Sequence, residues 1–498
     1  MISRDNLQYG NNPQTDVTAP RFVSLPVPVS YLSVAAAVLL CLAGCAPNLG
    51  NPPQLVKPEA LSSAASLAAP ATEWPSDAWW KIYKDPQLDG LIEEALRDSP
   101  DLKIAEARIR AADAMGDIQG ANLYPTVVAD GTAAETEASL NLGYPPAFRA
   151  YMPHGWHHYA QLRAAFQYEL DFFGKNRASL DAALSEVEAA RAGGAEARLQ
   201  ISAGVAAIYG GLMQLYADKQ TAEEAVRLRG ETANLVGQRV NAGMDNEASL
   251  SQAQAQLKAA KAGTREVERL IAVTQHQLAA LLGKGPDRGM SVTGVSPRQN
   301  NAGLPTRLAA DLIGRRPDIV AARRMAEAAS SRIDVANANF YPNVDLVGFF
   351  GLQAMDLKYL VQATSETGSF GPAVTLPIFD YGRNTGIYKA ARAQYDAAVA
   401  EYDKTLTNAL REVADAYANR RAVEDELIQT KDSLVDSENA YRILKVRYEA
   451  GFAGYLDVLT AETMLLQQKR AVADLETQAF IADVALIRAL GGGYKDKS

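Results

Sequence analysis

At 498 residues with 48% hydrophobic content the chain is long enough to bury a sizeable core, and a net charge of −9 without a basic run excludes nucleic acid as its main partner. No stretch of about 20 apolar residues follows position 45, so no helix beyond it is expected to span a bilayer. Four scattered histidines, two cysteines and no phosphate-cradling glycine loop give no catalytic or metal-binding pattern, so neither enzyme activity nor a cofactor is expected.

The chain begins with an apolar run, Tyr31 to Leu42, that ends at Leu42-Ala43-Gly44-Cys45. That tetrad is similar to a bacterial lipobox, which marks residues 1–44 as a signal peptide and Cys45 as the lipidated (palmitate-bearing) residue. Cleavage removes Cys41, so no disulfide remains, and Ala46 in place of an acid favours the outer membrane. Residues 45–73, rich in Pro, Ala and Ser, read as a flexible tether to outer membrane lipid.

From Trp74 the pattern becomes regular and then repeats. The first copy spans 74–283: short helices reset at Ser99-Pro100-Asp101, strands at 124–140 and 158–171, a long helix over 174–241 and a return helix over 247–283. A linker, 284–303, leads to the second copy, 304–491, with strands at 341–353 and 368–380, a long helix over 382–449 and a return helix over 454–490; 492–498 is a tail. Gly174 and Gly243 stand 69 residues apart, as do Gly382 and Gly451, with no proline between, which predicts two helices of about 100 Å at about 1.5 Å per residue. From Gly174 to Gly283 each landmark reappears 208 positions later; only the strand region is longer in the first copy, which places the extra residues, Gly143 to Trp156, in an exposed loop. His154, His157 and His158 are assigned to that solvated loop, and His276 stands alone.

Ala160, Leu162, Ala164, Phe166, Tyr168 and Leu170 alternate with polar residues, the pattern of a strand with one wet and one apolar face, long enough for a tilted membrane strand. Four such strands must close to satisfy their edges in lipid. Two copies would give eight strands and a filled barrel; three would give twelve and a lumen, so elimination favours a homotrimer. In the second long helix Tyr388, Ala391, Tyr395, Val399, Tyr402, Leu406, Leu410, Val413 and Tyr417 follow a 3.6-residue period, whereas Leu427, Leu434, Tyr441 and Tyr448 are seven apart. The upper part is expected to join a wall of near-parallel helices and the lower part to coil with its return helix. Gly193, Gly194, Gly210 and Gly211 in the first long helix are expected to permit close helix approach or bending.

Trp80, Asp85-Pro86, Pro100-Asp101-Leu102, Arg315-Arg316-Pro317-Asp318-Ile319, the two Tyr-Pro junctions, and Arg447-Tyr448 through Gly451 to Tyr455-Leu456-Asp457-Val458-Leu459 give the chain a specific resemblance. It resembles the outer membrane factors, the TolC/OprM-like exit ducts of tripartite efflux systems, and within them the NodT-like lipoproteins. The resemblance implies a mainly α fold with a membrane β-barrel portion: a trimeric 12-stranded barrel continued by a long periplasmic α-helical barrel. It also implies multidrug resistance and, as partners, a periplasmic membrane-fusion adaptor and an inner-membrane RND pump. Tyr448, Leu456 and Asp457 would then form the periplasmic gate, with Leu456 and Asp457 repeated as rings of three, and Arg239, Gly243, Arg447 and Gly451 the tip that meets the adaptor. Asp457 is equally a helix N-terminal acid that complements the dipole. Ser249 and Thr460 stand where relatives often carry acids, so the latch is expected to use other partners. Arg315 and Arg316 are expected to pair with carboxylates at the equator. A duct for ABC-dependent protein secretion and a coiled-coil periplasmic scaffold are the competing readings.

Overall fold

Two sets of helices carry the molecule, with the 22-residue, long and return helices matched in length between them. In the first half the short helices Pro86–Asp98 and Pro100–Ala121 precede strands β1 (Thr126–Glu137) and β2 (Trp156–Glu169), the first long helix (Lys175–Asn241) and the first return helix (Glu247–Leu281). The second half has the short helix Pro317–Ala338, strands β3 (Asn343–Met355) and β4 (Glu366–Thr375), the second long helix (Arg383–Glu449) and the second return helix (Tyr455–Ala489). Both long helices have 67 residues and both return helices 35. The computed structural model describes residues 47–63, 65–141, 145–293, 303–305 and 308–496, all within the unit that begins at Ala46. The signal peptide and Cys45 lie outside the described residues, as do 294–302 of the linker.

Each long helix starts where the sequence offers an anion to its free N–H groups. The Asp171 carboxylate accepts from the backbone of Asn176 (3.2 Å) and Arg177 (2.9 Å), and Asp380 accepts from Gly382 (2.9 Å) and Asn384 (2.8 Å). The backbone bonds hold both carboxyls below the usual range; burial opposes them at Asp171 and adds a smaller opposing effect at Asp380.

The strands form one antiparallel meander in the order β1-β2-β3-β4, and the β2–β3 ladder, with Ala164 opposite Phe350, is where the two halves join in the sheet. Val127, Leu162, Phe350, Phe370 and Val374 share one face and are all exposed. The other face carries the Arg163–Asp130 ion pair at 2.8 Å. Exposed aromatic and apolar residues also ring the two ends of the sheet: Phe172, Phe173, Ile378, Phe379 and Tyr381 at the helix end, and Phe148, Tyr151, Trp156, Leu357 and Tyr359 at the loop end.

Three apolar clusters lie along the helices. At the equator Trp79, Tyr83, Leu88 and Ile92 pack on Tyr209 and Leu212 of the first long helix and on Phe480 and Val484 of the second return helix. A second cluster joins Leu312 and Ile319 to Tyr402, Leu406, Leu410 and Val413. The third, at the far end, joins Val236 to Tyr441, Tyr448, Tyr455, Val458 and Leu465. Tyr402 to Val413 of the stripe with the 3.6-residue period are thus buried in the second cluster, and Tyr441 and Tyr448 of the seven-residue seam in the third.

Several expectations need correction. The strands are displaced or shortened by a few residues; before β1 and β3 the Tyr-Pro junctions continue the preceding helical turns and the ladder starts after them. The described part of the tether is not free: Gly50 accepts from Arg392, Pro53 from Tyr395, and Val56 donates to Asp403, so, traced back toward its N-terminus, the segment climbs alongside the second long helix toward the sheet. Ala71–Thr72 then pairs in parallel with Leu304–Pro305. In the linker, Pro286–Ser291 forms a 3-10 turn, where Arg288 reaches Glu94 at 2.7 Å. His157 is in β2, not the loop, and His158, at the start of the expected strand, is also in β2 and faces Glu135 at 3.4 Å. Of the paired glycines only one of each is in close contact: a Cβ at Gly194 would meet Ile109, and one at Gly210 would meet the Phe480 ring at 2.9 Å, while Gly193 and Gly211 face open space. Arg316 is buried and holds Asp318, Glu412 and the Ala489 carbonyl, but Arg315 lies over the Trp74 ring.

Candidate functional site at the helical tips

Both long helices end in the same turn. Met244 N–H donates to Arg239 O at 2.9 Å and Phe452 N–H to Arg447 O at 2.8 Å, with Gly243 and Gly451 at φ 70° and 83° between them. That closing bond requires a left-handed residue, which glycine supplies without a Cβ clash. Nothing crowds either glycine, and Met244 and Phe452 are exposed beside them.

The next residues differ between the halves. Asn246 caps the first return helix by accepting from Ser249 N–H at 2.9 Å. Gly454 has no side chain to do this, and instead the Asp457 carboxylate reaches back to the Gly454 N–H at 2.9 Å. Asp457 thus serves the helix N-terminus, and Leu456 beside it is 66% exposed, outside the apolar cluster.

Tyr448 sits in the opposite situation, 1% exposed among Val236, Tyr455 and Val458. Its hydroxyl donates to Asp245 Oδ2 at 2.9 Å. Arg239 donates from Nη1 to the Tyr448 carbonyl at 3.0 Å, and its guanidinium lies 4.6 Å from the ring centre. One tyrosine of the second half is therefore gripped by an acid and an arginine of the first. Burial, then the bond to the Asp245 carboxylate, push the Tyr448 hydroxyl pKa up. Burial also works to raise the Asp245 carboxyl, but Asn246 N–H, Tyr448, Ser249 and the Arg239 charge together hold it below the ordinary value.

Further polar contacts between the halves continue from this grip toward the equator. Lys445 meets Glu231 at 3.2 Å, Arg229 meets Glu462 at 3.6 Å, Lys469 meets Glu224 at 2.9 Å, Arg470 meets Asp218 at 3.3 Å, and Gln214 donates to Asp474 at 2.6 Å.

The structure thus brings Tyr448 and Arg239 together but leaves Leu456, Asp457, Arg447, Gly243 and Gly451 outside that contact; Arg447 reaches only the Phe452 carbonyl, at 3.5 Å. Thr460 bonds within its own helix, to Leu456 O. The residue that sequence reasoning missed is Asp245, two positions beyond Gly243; an acid in the tip turn facing a tyrosine on the other hairpin was the available signal. Among the described residues no cluster of three His, Cys, Asp or Glu is placed to hold a metal, and no helix is long and apolar enough to cross a membrane.

Comparison with known proteins agrees with this architecture. The family model for outer membrane efflux proteins matches residues 91–284 and 308–492, which are the two halves. The fusaric acid resistance protein FusA of Burkholderia cepacia is 36% identical over 72% of this chain and 68% of its own length. The multidrug resistance outer membrane protein MdtP of Escherichia coli K12 is 29% identical over 89% of this chain and 92% of its own. The crystal structure of the outer membrane protein VceC of Vibrio cholerae superimposes with a TM-score of 0.80 and 39% identity, covering 85% of this chain and all of that one. With a duplicated helical body, a four-stranded sheet and both halves matched, the chain belongs to the outer membrane efflux protein family and is a channel of the outer membrane that extends into the periplasm.

Proposed function

We propose that this chain forms, as a homotrimer, the exit duct of a tripartite RND-type efflux system, gated at its helical tip. The observation that carries the reading is an open sheet with one apolar, exposed face, continuous with helices whose far ends are gripped through a single buried tyrosine. Among the described residues edge strands β1 and β4 have no partner outside the meander, and three copies would close twelve strands around a lumen. The aromatic bands at both ends of the sheet match the two water interfaces of a membrane barrel. Exposed Ile428, Val435, Ile443 and Val446 on the second long helix offer a neighbouring copy an apolar seam.

In this reading Tyr448, Asp245 and Arg239 latch the second hairpin to the first, and Leu456 and Asp457, exposed and adjacent, face the axis as rings of three. Converging carboxylates attract cations, so Asp457→Ala is expected to reduce cation selectivity in planar bilayers; unchanged selectivity removes Asp457 from the pore. The turns at Gly243 and Gly451, with Arg447 and the exposed Met244 and Phe452, would dock the periplasmic adaptor, which links to the inner-membrane pump. Lipidation of Cys45 is supported by the climbing segment: Gly50 sits level with Arg392, about 15 Å of helix below Gly382, and five extended residues span about 17 Å, enough to bring Cys45 to the aromatic band. The duct is a conduit, not an enzyme. The names of the relatives point to small organic toxicants, and nine dispersed methionines give no metal relay.

The test is a deletion strain screened against a panel of organic toxicants, with crosslinking from the tip. Sensitivity restored by the wild-type gene, and capture of an adaptor with an RND pump, are expected. Wild-type tolerance in the deletion strain, or capture of an ABC exporter, overturns the proposal.

A further inference from the structure

Five residues above Asp457, the second return helix places a carboxylate inside the apolar cluster of the lower bundle. Glu462 has a side chain 1% exposed, on the return helix that gives Val458, Ala461, Leu465 and Leu466 to the cluster and opposite the long helix that gives it Val236. Its Oε2 accepts from Thr232 Oγ1 at 3.0 Å. Its Oε1 lies 3.6 Å from Arg229 Nε without a hydrogen bond, and Glu462 Oε1, Arg229 Nε and the buried Tyr441 hydroxyl all lack a bonding partner among the described residues. Arg229 is turned partly away and donates to the Gln256 carbonyl of the first return helix. The charged and titratable groups around Glu462 are Arg229 on the first long helix, Lys445 and Tyr441 on the second, and Tyr455 on its own helix. Arg227, Glu231 and Glu449 also act on Tyr441.

A buried carboxylate with one neutral hydrogen bond and an imperfect ion pair is costlier in the packed state than in water. We infer that Glu462 biases the closed tip toward opening while it is ionised, so that closure is coupled to proton uptake at this residue. The inference rests on the proposed gate and deepens it. In the closed state burial raises the Glu462 carboxyl above its ordinary value of 4.5, against the smaller pull of Thr232, Arg229 and Lys445. Once the hairpins part, water reaches the group and the ordinary value returns. A carboxyl whose closed-state pKa is the higher one stabilises closure most below its open-state value, and that contribution is lost as pH rises through the closed-state value. Acidification should therefore favour closure through Glu462. Asp245 has the opposite sign: its depressed pKa contributes to closure above the ordinary carboxylate value and is lost only as pH falls through the lower one.

The experiment uses the full-length channel in planar bilayers, in a Tyr448→Phe background that partly opens the tip. Tyr448→Phe alone should raise conductance at every pH between 7.5 and 5, and its failure to do so overturns the gate reading. Within that background, open probability should fall as pH is lowered. Adding Glu462→Gln should abolish this pH dependence and lower open probability at pH 7.5, about tenfold for each pKa unit by which closure raises the carboxyl. Adding Arg229→Met instead should move the pH response to higher pH, which a merely structural role would not do. An open probability that is flat with pH before Glu462→Gln is added, an unchanged slope after it, or increased opening after it overturns the inference.

Discussion

The two halves meet in two different ways along the length of their helices. Near the equator the first long helix and the second return helix are locked by shape: Gly210 lets the Phe480 ring approach to 2.9 Å of where a Cβ would stand, and Leu212, Tyr209 and Val484 complete an apolar core. Its polar contacts, Tyr209 to Asp85 at 2.6 Å and Tyr83 to Asp483 at 2.9 Å, are buried within it. Below Gln214 the contacts between the halves include a series of ion pairs, most of them partly exposed, ending in the Tyr448 grip. Apolar packing is lost steeply when helices separate, whereas exposed ion pairs exchange for water at little net cost. In the proposed gating the upper interface holds and the lower one parts, its own apolar cluster around Val236 and Tyr448 included.

Breaking the upper interface should have the largest effect. Phe480→Ala removes a ring that is 3% exposed and is expected to cost about 3–5 kcal/mol, read as a lowered thermal midpoint of the solubilised protein. An unchanged midpoint would show that the equator is not the fixed part. Tyr448→Phe deletes one bond to a carboxylate, about 1.5–3 kcal/mol of closure, and should leave the thermal midpoint nearly unchanged while conductance rises. Gly451→Val forces a Cβ into a turn at φ 83°, a local strain of about 1–2 kcal/mol. It should abolish toxicant resistance in cells without reducing the amount of assembled protein, and normal resistance would count against the tip as docking site. Lys469→Met should be mildest, below about 1 kcal/mol, with a slight rise in conductance that vanishes at high ionic strength.

Much of the architecture was legible in the chain because its signals are local. Glycines that must be left-handed, prolines at first helical positions and the two apolar periods mark where helices end and which faces are buried. The site was legible only in part. Tyr448 and Arg239 stood out beside the tip turns, but Asp245 lies in the other half from the Tyr448 it holds, and the register across two 67-residue helices is set by packing that no local pattern encodes. Glu462 was invisible for the same reason: in sequence it is one charge in an amphipathic helix, and only the three neighbouring helices make it a buried one. The segment before Trp74 was misread because its composition suits a flexible linker, while its hydrogen bonds go to Arg392, Tyr395 and Asp403 of a distant helix.

Opening is proposed to part the lower interface while the upper one holds. This is tested most directly by replacing Glu224 and Lys469 with cysteines in the Tyr448→Phe channel, bridging them with a short reducible crosslinker, and recording bilayer conductance before and after cleavage. The bridge should close the channel and reduction should restore the open conductance. Conductance that is indifferent to the bridge would show that opening does not separate these helices.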